Sequence, residues 1–138
     1  MDNEKVSKEI AIKEIQKFVL EHDGAKKEDW QIENDYPQML QAVQEGNLVF
    51  NDKMIPKLTL KEAIKNTEGE ESVSEIDFRT RIKPTQLAEI MKGVDLGKNQ
   101  MEYSLRVISY LTKQPRAMLD KFGKFDYKVI DQISTVFM

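Results

Sequence analysis

Apolar residues near the start of the chain recur at helical spacing. At roughly 100° per residue, Ala11, Ile12, Ile15, Phe18 and Val19 share one face. This pattern predicts a helix from Glu4 to His22, closed by Asp23-Gly24, where glycine readily takes the left-handed cap. Val6, Ile10 and Leu20 fall on the opposite side, interrupted by Lys13 and Lys17. A surface helix needs one apolar stripe. A second stripe suits either a partner chain or another part of the same domain, and periodicity does not separate the two.

A polar stretch from Ala25 to Glu33, holding the lone Trp30, reads as a linker. Asn34-Asp35-Tyr36-Pro37 then opens a short helix carrying Met39, Leu40 and Val43, with proline in a first turn that needs no amide donor, and Gly46 ends it. Leu48-Val49-Phe50 reads as a strand, Asn51-Asp52 as a turn, and 53–64 as a second strand. Pro56 cannot donate to a ladder, which favours an edge position or a strand start. After a solvated loop over 66–72, Ile76, Phe78, Thr80 and Ile82 alternate with Asp77, Arg79 and Arg81. The short connection predicts an antiparallel hairpin, with Leu58, Leu60, Ile76 and Phe78 on the dry face. Lys57, Lys61, Asp77, Arg79 and Arg81 take the wet one.

From Pro84 onward the pattern is helical. Helices are predicted over 85–92 (Leu87, Ile90 and Met91 inward), 100–113 (Met101, Leu105, Ile108 and Leu111) and 116–122 (Met118 and Leu119), with Gln114-Pro115 as a break. A last helix, N-capped by Asp126, presents Val129, Ile130, Ile133, Val136 and Phe137. The expected fold is therefore α+β: a small antiparallel β-hairpin or three-stranded sheet packed with four to six α-helices, and a helical C-terminal half.

The 138 residues fit one domain, 1–138, long enough to bury a sizeable core. No apolar run approaches the ~18 residues of a membrane span, and the first five residues are acidic where a secretory signal is basic. With no cysteine there is no disulfide, thiolate ligand or thiol nucleophile, and the cytoplasm is the expected compartment. The net charge of −3 divides unevenly: −5 over residues 1–50, 0 over 51–98 and +2 over 99–138. Nothing concentrates positive charge as a phosphate backbone requires, so nucleic acid is not an expected partner, nor is a membrane.

Candidate chemistry is sparse. His22 is the sole histidine, so zinc sites of the common types cannot be assembled, and its place in a last helical turn suits the helix dipole. A Ser-His-Asp triad would have to run through His22 without a nucleophile elbow. Gly93 and Gly97 precede Lys98-Asn99 and make no phosphate loop, and Glu68-Gly69-Glu70-Glu71 lacks the alternation of a calcium loop. No catalytic, metal or cofactor site is expected. Of seven methionines, Met39, Met91, Met101 and Met118 sit at helical core spacing, and Met1 is the initiator.

Several runs resemble those of tailed-phage tail assembly chaperones. Tyr36-Pro37 followed by Ala42-Val43-Gln44-Glu45-Gly46-Asn47-Leu48-Val49 is similar to a "YP…A-I-E-x-G-x-L-V" run in that family, and Leu58 to Ile64 resembles its opening strand. Residues 76–85, ending in Lys83-Pro84-Thr85, resemble a central signature containing Pro-Thr, with Gln86-Leu87-Ala88 where Gly-Asp-Leu is usual. The block from Ile108 through Gln114-Pro115 to Phe122 resembles the family's "L-I-A-x-L-T-G-x-P-x-x-x-L-D-x-L-x-x-x-D" stretch. There Lys113 replaces the usual glycine, and Asp126 fills the last aspartate. The resemblance covers 36–138 and leaves 1–35 as an N-terminal helical extension. It implies a chaperone that keeps the long, apolar tape measure protein soluble while tail tube protein polymerises around it.

A binding role places the expected contact on apolar helix faces: Val129, Ile130, Ile133, Val136 and Phe137 first, then Val6, Ile10 and Leu20. The C-terminal stripe equally suits ordinary core packing. The alternatives are a structural virion protein, such as a tail completion or adaptor piece, and a small regulatory protein-binding domain. Self-association into a homo-oligomer stays open.

Overall fold

A computed structural model describes residues 6–138. Six α-helices, one 3₁₀ helix and three strands follow one another as α1 (Lys8–Asp23), α2 (Asp29–Asp35), α3 (Pro37–Gln44), β1 (Leu48–Phe50), β2 (Pro56–Lys65), β3 (Glu71–Asp77), α4 (Pro84–Met91), α5 (Gln100–Thr112), the 3₁₀ helix (Arg116–Lys121) and α6 (Lys124–Phe137). The α+β expectation holds, with all three strands in one antiparallel sheet of order β1-β2-β3.

α1 starts where Ser7 Oγ accepts the Ile10 N–H at 3.2 Å and stops at Gly24, whose φ of 76° is the left-handed turn that glycine adopts without a Cβ clash. The expected start at Glu4 lies outside the described residues. Its five inner residues are all buried, and they share one continuous core with α3, α6 and the sheet. The N-terminal extension is thus a structural wall of the fold. Phe18 stacks on Phe50 at 4.8 Å and meets Phe137 edge-on at 5.4 Å, arrangements that favour aromatic quadrupoles.

The expected linker over 25–33 is corrected, because its second half is α2. The Glu28 N–H donates to Gln31 Oε1 at 2.8 Å, satisfying an end donor of the first turn, and Ile32 is fully buried. The third strand also shifts. It begins at Glu71, because the 66–70 turn closes with Asn66 Oδ1 accepting the N–H groups of Glu68 and Glu70, and it ends at Asp77 rather than Ile82. Beyond Phe78, the Arg79 N–H donates to the Leu111 carbonyl at 2.8 Å and its Nε to the Tyr110 carbonyl at 2.9 Å. The end of α5 captures the backbone donor that would have extended the sheet, and the Arg79 side chain with it. Pro56 stands at the start of β2, the central strand.

β2 carries an irregularity between Thr59 and Ile64, where its register against β3 slips. Asp126 resolves the slip. Its carboxylate, 1% exposed, accepts the Lys61 N–H at Oδ1 (2.9 Å) and the Glu62 N–H at Oδ2 (3.0 Å). The expectation that Asp126 caps α6 is corrected: Gly123 is the N-cap, and Asp126 sits in the first turn aimed at the sheet. There the helix dipole also favours its charge.

Replacing Asp126 by Ala strands two backbone donors beneath α6. It is expected to cost about 2–4 kcal/mol, read as a lower urea midpoint at unchanged m-value. Lys113 holds φ 60° at the end of α5, the conformation glycine takes most cheaply. Lys113→Gly is expected to raise stability by about 0.5–1 kcal/mol in the same assay.

Candidate partner-binding surface

The C-terminal stripe is inside. Val129, Ile130 and Ile133 are 0% exposed and Val136 3%, enclosed by α1, α3 and α5. Gln132, on the α6 flank, accepts the Met39 N–H at 2.8 Å and donates to Gln38. Phe137 is locked between Phe18 and the His22 ring, the latter at 4.9 Å. Four of the five expected contact residues are therefore core and Phe137 is half-buried in the aromatic cluster, so the stripe takes the core-packing alternative and the expected contact face is corrected.

Val6 is corrected for a different reason. It precedes the helix, its N–H donates to the Gln44 carbonyl at 3.2 Å, and its side chain packs on the core. The helical phase that set it beside Ile10 does not apply ahead of the Ser7 cap.

Ile10 and Leu20 do point out, at 54% and 49% exposure. Ten residues separate them, about 15 Å along the helix. Lys13 and Lys17 fall between them at i+3 and i+7, so the four residues form one outer stripe, apolar at both ends and carried by lysine stems in the middle. α1 is therefore a two-faced helix, with one face sealed in the core and the other uncovered.

Beside the outer face runs the segment leading into α2. The Gln16 side-chain amide donates to the Lys27 carbonyl at 3.0 Å and to Asp29 Oδ1 at 2.8 Å, pinning that segment against α1. Between them lies a groove of about 330 Å³ lined by Leu20 together with Lys13, Lys17, Lys26 and Lys27. Spacing on α1 alone does not reveal Lys26 and Lys27 as neighbours of Leu20. Only the turn at Gly24 brings them back.

A second region of uncovered apolar surface lies at the α4–α5 hairpin. α4 packs chiefly on α5, and none of its residues is buried, so Leu87, Ile90 and Met91 are only half-covered. Met101, expected in the core, is 66% exposed. Arg106 fastens the hairpin by donating to the carbonyls of Ile90 (3.2 Å) and Lys92 (2.7 Å), while Glu102 pairs with both Arg106 and Arg116. Hydrogen bonds first from Arg116 and then from Arg106 hold the Glu102 carboxyl below its usual pKa.

His22 Nε2 lies 2.8 Å from the Met54 carbonyl within the aromatic cluster, a structural position. Among the described residues no three His, Asp or Glu side chains converge closely enough to hold a metal ion, and no helix is long and apolar enough to cross a membrane. The chain matches no protein-family model, no curated protein and no solved structure.

The two sets of apolar residues are expected to respond oppositely to charge. Ile10→Glu and Leu20→Glu stay within about 0.5 kcal/mol of the parent in thermal and urea unfolding. Ile133→Glu buries an unpaired carboxylate and loses about 4 kcal/mol or more, enough to unfold a domain of ordinary stability.

Proposed function

We propose that the protein is a non-catalytic binding protein for an apolar, helical polypeptide, serving as a phage tail assembly chaperone for the tape measure protein. The observation that carries the reading is the two-faced α1: its inner residues complete the core, and its outer stripe keeps Ile10 and Leu20 uncovered. Burial of such side chains against a partner yields roughly 25 cal/mol per Å² of apolar area, and it is reversible when the contact is small. A chaperone that must surrender its client to a growing tube needs such a contact.

The runs that resemble the chaperone family support the choice of client. Lys113, where that family has glycine, sits in the backbone conformation that favours glycine. The Tyr36-to-Val49 run forms one local unit of α3, the Gly46 turn (φ 81°) and β1.

Co-expression with a tape measure protein is expected to keep that protein in the supernatant and to yield a complex that co-purifies. Ile10→Glu/Leu20→Glu is expected to lose the complex while unfolding at the parent temperature. Capture undiminished in that variant would refute the surface. Failure of the parent to capture the client, or its stoichiometric presence in finished particles, would refute the chaperone role.

A further inference from the structure

We infer that the groove between α1 and the 26–28 segment is a docking site for an acidic amphipathic segment, one that places an apolar side chain on Leu20 and carboxylates against the surrounding lysines. The inference rests on the protein-binding reading and adds to it the chemistry of the segment bound.

Charge is the first observation. The first fifty residues carry a net charge of −5, yet four lysines and one glutamate, Glu28, gather around this groove. Three of them, Lys13, Lys17 and Lys26, have no acid within 4.0 Å among the described residues, and Lys27 reaches Asp35 only at 3.8 Å. Glu14 and Glu21 share α1 with these lysines but pair with none of them. A local surplus of cations on an acidic background is complementary to carboxylates and repels basic segments, which sets specificity and approach rate.

Shape is the second. Leu20, 49% exposed, is the apolar side chain among the lining residues, and the four lysines around it bring alkyl stems as well as charge, so the groove offers both apolar and positive surface. A leucine or phenylalanine flanked by glutamates fits that layout. Nucleic acid fits it poorly, because neither arginine forks nor stacking aromatics line the groove.

Pre-organisation is the third. Gln16 fixes the 27–29 segment through two hydrogen bonds, and Gly24 fixes the turn, so both walls stand before any ligand arrives. A site already ordered loses less conformational entropy on binding.

The test is a fluorescence-anisotropy titration with a labelled sixteen-residue helical peptide. It carries leucines at i, i+4 spacing flanked by glutamates, and its control has lysine at every glutamate position. The parent protein is expected to bind the acidic peptide saturably and the control not at all, with affinity falling between 50 and 300 mM salt as the charges are screened. Lys17→Glu/Lys26→Glu is expected to weaken binding about tenfold or more, while Lys53→Glu/Lys98→Glu, on other exposed surface, leaves it unchanged. Circular dichroism of both double variants checks the fold.

Equal binding of the acidic peptide to parent and Lys17→Glu/Lys26→Glu overturns the inference. So does binding of the basic control, or displacement of the peptide by a DNA oligonucleotide at equal concentration. Because the probe is synthetic, failure here is distinct from failure of the tape measure capture, which tests the identity of the client and not the chemistry of the groove.

Discussion

The junction between sheet and helices depends on one carboxylate. At the slip in β2 the N–H groups of Lys61 and Glu62 leave the ladder and face the buried Asp126 in the first turn of α6. Unpaired, each would cost roughly 1–3 kcal/mol. Asp126 accepts both, one on each oxygen, and so fixes where α6 starts relative to β2. With α6 seated, Val129, Ile130, Ile133 and Val136 meet α1, α3 and α5 from the middle, and the inner face of α1 has a surface to pack on. The outer face of α1 is uncovered because its inner face is committed.

Long, strongly periodic elements were legible in the sequence. Five inner residues of α1 at helical spacing, the alternation through Leu58, Leu60, Ile76 and Phe78, and the Gln114-Pro115 break all stand where the pattern places them. Elements set by one tertiary contact were not. α2 has a single buried residue, Ile32, and too few turns to show a period. The alternation of β3 continues in the burial of Phe78, but Arg79 finds its acceptor at the end of α5, and no local pattern announces a partner 32 residues away. Asp126 has the right residue type for a cap, and its real acceptor role depends on a strand 65 positions earlier.

The candidate surface was half legible for the same reason. An apolar stripe reads identically whether it meets its own domain or another chain, so the sequence could put the C-terminal stripe ahead of the outer stripe of α1. What separates them is topology: α6 is surrounded and α1 is at the edge. The lysines of the groove come from both sides of the Gly24 turn, and only the folded chain gathers them around Leu20. The result is a fold in which the inner side of α1 serves stability and the outer side is left open for the binding proposed above. Charge can then be varied on the outer side at little cost to folding.

The most direct measurement is a lysine footprint. The protein, alone and in complex with the tape measure protein, would be briefly acetylated and the modification at each lysine quantified by mass spectrometry. Lys13, Lys17 and Lys26 are expected to lose reactivity in the complex while Lys53, Lys98 and Lys128 keep theirs. Unchanged reactivity along α1, or protection centred on another part of the surface, would contradict it.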